Sequence, residues 1–241
     1  MNHAFPPALL LDLDDTILAD SLGVDACWDA VCHAYAPDVA PFTVAQMRAA
    51  IDDYRRWYWD DSARHRDGRL DLDAARAHIV TESLRRVGMP EECAAVLGGQ
   101  IAADFSAMRD ERLAPLPGAL ETVDALARRG VRLALLTNGA ATAQRRKIER
   151  FDLARHFEVI IVEGEFGCGK PDPRVYQHAL AMLAIAPTDA WMVGDNLEWD
   201  VFAPQRLGIS GVWVNPTSRP LPDGGTERPT RTVRALADLL A

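Results

Sequence analysis

Residues 8 to 16 read Ala8-Leu9-Leu10-Leu11-Asp12-Leu13-Asp14-Asp15-Thr16, an apolar run that breaks off in three carboxylates and a threonine. A short apolar run bounded by polar residues suits a strand buried on both faces, which calls for a parallel sheet covered by helices on each side. In open α/β sheets ligands bind just beyond the carboxyl ends of the strands. Acids at such a tip must be paired, solvated or holding a cation. Were the extended conformation to continue, Asp12 and Asp14, two residues apart, would share one face and could approach the same hard cation. The side chain of Asp15 would point away from the other two, as a helix cap or a solvated acid.

Composition narrows the partners. The chain has 241 residues, enough for one large domain or two modest ones, and a net charge of −9 that excludes a general attraction to nucleic-acid polymers or anionic membranes. An anionic ligand would have to be drawn in locally, by a metal or a few basic residues. No apolar run approaches the length of a membrane span, and no basic segment precedes the N-terminal apolar stretch, so neither an export signal nor a transmembrane segment is expected. Cys27, Cys32, Cys93 and Cys168 form no Cys-x-x-Cys pair. They read as reduced thiols of a cytoplasmic protein, with neither a zinc site nor a disulfide framework.

From about residue 115 onward, apolar runs alternate with amphipathic segments as in repeated βα units. Strands are expected at 131–136, 159–162, 190–193 and 211–214, and with the run at 8–12 these make a five-stranded, mostly parallel sheet. Helices are expected near 118–129, 141–153, 173–184, 200–207 and 230–240, and an exposed loop over 215–230. Residues 20–112 differ: helical spacing recurs and no convincing β run appears. They read as an inserted α-helical domain, with 1–19 and 113–241 forming the core. Completion of the sheet's outer layer by these helices is the alternative, but about 90 residues far exceeds an ordinary crossover. The segment Pro115-Leu116-Pro117-Gly118 gives a stiff re-entry into the sheet.

Polar groups that suit one another collect at the strand tips: Asp12 and Asp14, then Thr137-Asn138-Gly139, then Gly194-Asp195 with Asp200 following. Lys170-Pro171 opens a helix between the third and fourth strands. Carboxylates bind Mg2+, hydroxyl and backbone N–H groups receive phosphate oxygens, and a lysine supplies a point charge against the same oxygens. The set describes metal-assisted phosphoryl transfer. The run Gly164 to Lys170 also fits P-loop spacing, but Pro171 stands where that loop needs a Ser or Thr hydroxyl.

These four segments, in this order, resemble the four motifs of the haloacid dehalogenase-like superfamily, and they span essentially the whole core. The helical insertion between the first and second motifs resembles the subgroup with a mobile helical cap (subclass I). The resemblance implies a Rossmann-like α/β core with a sheet ordered 3-2-1-4-5. It makes Asp12 the nucleophile that forms an aspartyl phosphate, and Asp14 the general acid and base, with the Asp14 backbone carbonyl on the metal. It puts Thr137, the Asn138 backbone and Lys170 around the phosphoryl group, Asp12, Asp14 and Asp195 around Mg2+, and Asp200 in an outer or water-mediated position. Thr16 organises the turn. The dehalogenases that named the superfamily usually carry tyrosine where Asp14 stands, so a carbon–halogen substrate is not expected. The form of the motifs is most similar to pyrimidine 5'-nucleotidases and N-acylneuraminate-9-phosphatases.

Within the insertion, Tyr54-Arg55-Arg56-Trp57-Tyr58-Trp59 has two readings: an amphipathic helix with its aromatic residues in a core, or a stacking and anion-binding face on which Trp57 and Trp59 touch substrate. The expected function is a Mg2+-dependent phosphatase for a small phosphorylated metabolite, a nucleoside monophosphate or sugar phosphate, in a monomer or homodimer. A phosphomutase on the same scaffold and a non-catalytic metabolite-binding protein are the alternatives.

Overall fold

The computed structural model describes residues 5–240. The chain divides into two compact units, one comprising the residues up to Asp20 and those from Ala114 onward, the other Ser21–Leu113.

The first unit is built on a parallel sheet of β1 (Ala8–Leu11), β2 (Arg132–Thr137), β3 (Val159–Val162), β4 (Ala190–Gly194), β5 (Ser210–Val214) and β6 (Arg231–Val233), in the order β3-β2-β1-β4-β5-β6. The expected order 3-2-1-4-5 is present, extended by one strand. All four residues of β1 are fully buried, as the unbroken apolar run requires. Its register pairs Leu11 with Leu135 of β2 and Val193 of β4, so Asp12 leaves the sheet level with the polar ends of both neighbours. Ala8, Leu10, Ala134, Leu136 and Met192 pack into one core with Val175, Tyr176 and Ala179.

The helix expected over 230–240 is a correction. Residues 231–233 form the edge strand β6, parallel to β5, and only a 3-10 turn follows at Leu236–Leu240. Thr230, Thr232 and Val233 are β-branched and favour the pleated surface. The Asp238 carboxylate then accepts the backbone N–H groups of Arg234 and Ala235, a local bond that competes with a continuous helix.

The second unit holds five helices, α1 (Val24–Ala34), α2 (Val44–Asp60), α3 (Ser62–Leu70), α4 (Leu72–Arg86) and α5 (Glu91–Arg112), and no strand among its described residues. Sharp junctions come from single aspartates: Asp61 separates α2 from α3 and accepts the Arg64 N–H, and Asp71 separates α3 from α4 and accepts the Ala74 N–H. Its own core is centred on Trp28 stacked against Phe105, with ring centroids 3.7 Å apart, beside Met47, Ile51, Val80, Leu84 and Ile101.

The chain leaves the first unit and returns to it through neighbouring segments. Ala19 N–H donates to Ala114 C=O at 2.9 Å and Leu116 N–H to Ile17 C=O at 2.8 Å, an antiparallel clasp around the Leu18–Pro115 bridge. The remaining helices are α6 (Ala119–Arg128), α7 (Ala141–Arg150), the short α8 (Glu163–Phe166), α9 (Pro173–Met182) and the single turn α10 (Ala203–Gln205). The helix expected over 200–207 is displaced: a π-helical turn, Leu197–Phe202, runs into α10. Asn196 starts it by accepting the N–H groups of Glu198 and Trp199. Among the described residues no helix is long and apolar enough to cross a membrane, and the four cysteines form no disulfide.

Candidate active site

β1 stops at Leu11, and the chain turns instead of continuing extended, with Ile17 N–H donating to Leu13 C=O. The condition that would have put Asp12 and Asp14 on one strand face therefore does not hold. The two acids occupy separate surroundings, each with its own lysine. Asp15 sits in the turn at φ +57°, a left-handed conformation that aspartate tolerates, and no helix begins beside it to be capped.

Asp12 is buried. One carboxylate oxygen accepts from Lys170 Nζ at 2.6 Å, and the other from Thr16 Oγ1 at 3.2 Å, which gives the turn threonine its task. Lys170 is 1 % exposed and also donates to Asp200 Oδ1 at 2.7 Å. The second oxygen of Asp200 accepts the Asn196 N–H. Gly194, the last residue of β4, makes this possible: a Cβ there would lie 2.3 Å from Asp200 Oδ2.

The loop that brings Lys170 into place is clasped to the tip of β2. Asn138 Nδ2 donates to Lys170 C=O at 2.7 Å, and Lys170 N–H donates to Asn138 Oδ1 at 2.8 Å. Glu163, buried and unforeseen in the sequence, accepts the Gly139 N–H at 2.9 Å. A Cβ at Gly169 would lie 2.5 Å from Glu163 Cδ and 2.6 Å from Asn138 Oδ1, so only glycine lets the loop close this tightly. The Asn138 side chain is thus a structural tie, which leaves its backbone as the part suited to a ligand.

Asp14 is partly buried. Lys147 Nζ donates to Asp14 Oδ1 at 2.7 Å and to Asp20 Oδ1 at 2.9 Å, and Gln144 Nε2 donates to Asp14 Oδ2 at 2.9 Å. Gln144 also donates to the hydroxyl of buried Thr137. Neither Gln144 nor Lys147 was singled out from the sequence. Their signal was the spacing: three apart on α7, directly after Thr137-Asn138-Gly139, they lie on one helix face.

The acids repel one another and resent burial. Burial pushes the Asp12 carboxyl up to about 6 despite the opposing Lys170 charge, with Asp200 adding to the rise. Burial likewise raises Asp14 to about 6 against the pull of Lys147. Asp195, partly buried, is raised furthest, to about 8, by burial and then by the charges of Asp12, Asp200 and Asp15. For Lys170 the neighbouring carboxylates outweigh burial and hold the ammonium protonated.

Asp12, Asp195 and Asp200 each offer an oxygen, all within 4.8 Å of one another. Were all three carboxylates ionised, they would outweigh the single Lys170 ammonium by two negative charges, which one divalent cation would balance. A cluster made only of carboxylate oxygens fits a hard cation of the Mg2+ kind. The Asp14 side chain is not part of this cluster, being turned to Gln144 and Lys147.

In the helical unit, α2 divides its aromatic segment between the interior and the surface. Tyr54 is buried in the core, whereas Trp57 is 48 % exposed, with Arg64 stacked at 3.7 Å from its ring. Trp57 and Trp59 both line a cavity of about 1030 Å³ contained within this unit, together with Phe105 and five arginines, Arg55, Arg56, Arg69, Arg76 and Arg109, of which Arg55 is paired with Asp25 and Asp52 and Arg56 with Asp53.

Comparison with known proteins is decided by the motif-bearing core. Residues 6–208 match the family described as haloacid dehalogenase-like hydrolase. The chain belongs to this family. It is an enzyme, and its curated relatives include phosphatases. A phosphoserine phosphatase of Thermus thermophilus is 34 % identical over 88 % of this chain and 90 % of its own length. An N-acylneuraminate-9-phosphatase of Rattus norvegicus is 40 % identical over 39 % of this chain and 41 % of its own length. Among solved structures, the magnesium-bound HAD-hydrolase YfnB from Bacillus subtilis has the same fold, with a TM-score of 0.72 over 98 % of this chain and 97 % of that one at 21 % identity.

The charge balance has a measurable consequence. Between about pH 6 and 8 the metal-free cluster holds protons that a divalent cation must displace, because the raised Asp195 carboxyl is still protonated there. Mg2+ binding is expected to release protons at pH 7, and its apparent affinity to climb with pH and level off above about 8. Calorimetric titration in buffers of different ionisation enthalpy reads the released protons. Asp195→Asn should abolish most of the release, and an affinity independent of pH would contradict the account.

Proposed function

We propose that the enzyme is a Mg2+-dependent phosphatase that hydrolyses a small organic phosphate monoester through an aspartyl phosphate on Asp12. The observation that carries this reading is the fully buried Lys170 ammonium held between Asp12 and Asp200 at the tip of β1. A lysine stripped of water and set against a strand-tip carboxylate keeps that carboxylate anionic and fixed, and it adds a positive charge where phosphoryl oxygens would gather.

In the proposed cycle an Asp12 oxygen attacks phosphorus in line, and the leaving oxygen takes a proton from the Asp14 carboxyl. Asp14 then removes a proton from water as the water oxygen attacks phosphorus, which frees Asp12 and restores the starting proton count. The Thr137 hydroxyl, the Asn138 backbone N–H and Lys170 receive the phosphoryl oxygens. Asp12, Asp195 and the Asp14 carbonyl would hold Mg2+, with Asp200 behind them since both its oxygens already accept hydrogen bonds. The cation would neutralise charge on the transferring group. A carboxyl near 6 suits Asp14 for both proton transfers close to neutral pH.

For the organic part of the substrate we propose contacts from Trp57 and Trp59. Beyond the ion-paired Arg55 and Arg56, the cavity lined by these tryptophans carries Arg69, Arg76 and Arg109 beside Asp60, which favours a substrate with a further anionic group and a planar or apolar body. Nucleoside monophosphates, acidic sugar phosphates and phosphoserine meet that description in part. The proposed setting is cytoplasmic, as a monomer or homodimer.

The test is phosphate release from a panel of these compounds, with and without Mg2+. Wild type should turn over with Mg2+ alone added, and Asp12→Asn should lose at least about 10³-fold, as expected when a covalent nucleophile is removed. Release unaffected by Asp12→Asn overturns the reading, and isomerised substrate without net phosphate release would assign the chain to the mutases. Trp57→Ala and Trp59→Ala should change kcat/KM ratios across the panel by roughly 2- to 13-fold, the range of one lost aromatic contact. Unchanged ratios would remove these residues from the substrate pocket.

A further inference from the structure

The helix α7 reaches the acid–base candidate with two side chains, and between them they engage both of its carboxylate oxygens. Gln144 holds Asp14 Oδ2 at 2.9 Å and is itself buried, while Lys147 holds Asp14 Oδ1 at 2.7 Å. Lys147 has a second anchor at Asp20 Oδ1, 2.9 Å away, the last residue before the chain enters the helical unit. Gln144 has one at the Thr137 hydroxyl. Each donor is therefore fixed by a partner other than Asp14, so neither follows Asp14 if that side chain swings.

Asp14 needs such restraint. It lies in a turn beyond the end of β1, with an isolated bridge to Leu18 in place of a strand ladder, and that backbone pairing does not orient a side chain, which left alone samples several staggered rotamers. A lysine tied at one point only would spend rotamer entropy at each encounter, whereas one held between two carboxylates has already lost it.

We infer that Lys147 and Gln144 are positioning residues that lock the Asp14 carboxyl into the one orientation used for both proton transfers. The inference rests on the phosphatase reading and on Asp14 as its general acid and base. Lys147 gives up no proton in the cycle: Asp14 protonates the leaving oxygen as the P–O bond breaks, and recovers its proton from the attacking water. Neither α7 residue belongs to the four motifs, and neither contacts Asp12, Asp195 or Asp200 in any interaction described above.

A positioning role makes a selective prediction. An acid is needed to expel a poor leaving group and hardly at all for p-nitrophenolate. In the full-length enzyme with Mg2+, Lys147→Met should lower kcat/KM for β-glycerol phosphate by about 10- to 100-fold, part of the 10²–10⁴ that general acid catalysis supplies, while p-nitrophenyl phosphate loses less than about threefold. A series of substituted phenyl phosphates should show a steeper dependence on leaving-group basicity in the variant. With p-nitrophenyl phosphate, slowed hydrolysis of the aspartyl phosphate should appear as a burst of nitrophenol. Lys147→Arg should recover much of the loss. Once Asp14 is replaced, Asp14→Asn/Lys147→Met should be no slower on β-glycerol phosphate than Asp14→Asn alone.

Equal losses on both substrates, or additive losses in the double variant, overturn the inference and leave the phosphatase reading standing. Should Lys147→Met fail to fold by thermal melting, Gln144→Met and Lys147→Arg carry the same comparison. Wild type without phosphate release, or Asp14→Asn with full activity on β-glycerol phosphate, would instead sink the reading on which the inference rests.

Discussion

The ion triad Asp12–Lys170–Asp200 is the interaction on which the rest of the core depends. A fully buried ammonium is costly unless its charge is met at close range, and here it is met twice, at 2.6 and 2.7 Å. That requirement ties three distant parts of the chain to one point: the end of β1, the loop before α9 and the turn after β4. Gly194 and Gly169 follow from it, since each stands where a methyl group would collide with the triad or its supports. So does the π-helical turn at Leu197–Phe202, which returns the Asp200 carboxylate to the N–H of Asn196. Widened turns of this kind recur at functional sites.

The second organising feature is the separation of two carboxylates that are neighbours in sequence. Asp12 faces Lys170 with Asp200 and, close by, Asp195; Asp14 faces Lys147 with Asp20. Had the strand continued, both would have met the same lysine and the same cation. The turn after Leu11 gives each its own counter-charge, Lys170 for Asp12 and Lys147 for Asp14, so the two stand in separate hydrogen-bonded surroundings from which the proposed cycle draws different parts. The apolar run of β1 and the carboxylates at its end are thus two halves of one device, since burial of Leu9, Leu10 and Leu11 fixes where the acids emerge.

The parallel sheet was legible because its strands are apolar runs bounded by turn residues, and the helical insertion because about 90 residues carried helical spacing without a β run. The order 3-2-1-4-5 came from the family resemblance, not from the pattern. β6 was missed: three residues at a sheet edge with a single buried side chain, Val233, leave almost no periodicity to read. Asp12, Lys170, Asp195 and Asp200, named from the motifs, are brought together by the fold. Glu163, Gln144 and Lys147 were not legible, because their partners lie 24, 130 and 133 residues away in sequence and only the folded sheet brings them together. The capping half of the reading of Asp15 failed for a related reason, since it assumed regular geometry beside a residue that in fact adopts a left-handed turn.

The claim at the centre of this account is that the carboxylate gripped by the buried lysine is the group that reacts. Rapid acid quench during turnover of a phosphate monoester, followed by peptide mass spectrometry, tests it most directly. The account predicts a phosphoryl adduct on the peptide containing Asp12, labile to hydroxylamine as an acyl phosphate is, and absent from Asp12→Asn. Turnover with the adduct on another residue, or with none at any quench time even where hydrolysis of the intermediate has been slowed, would contradict it.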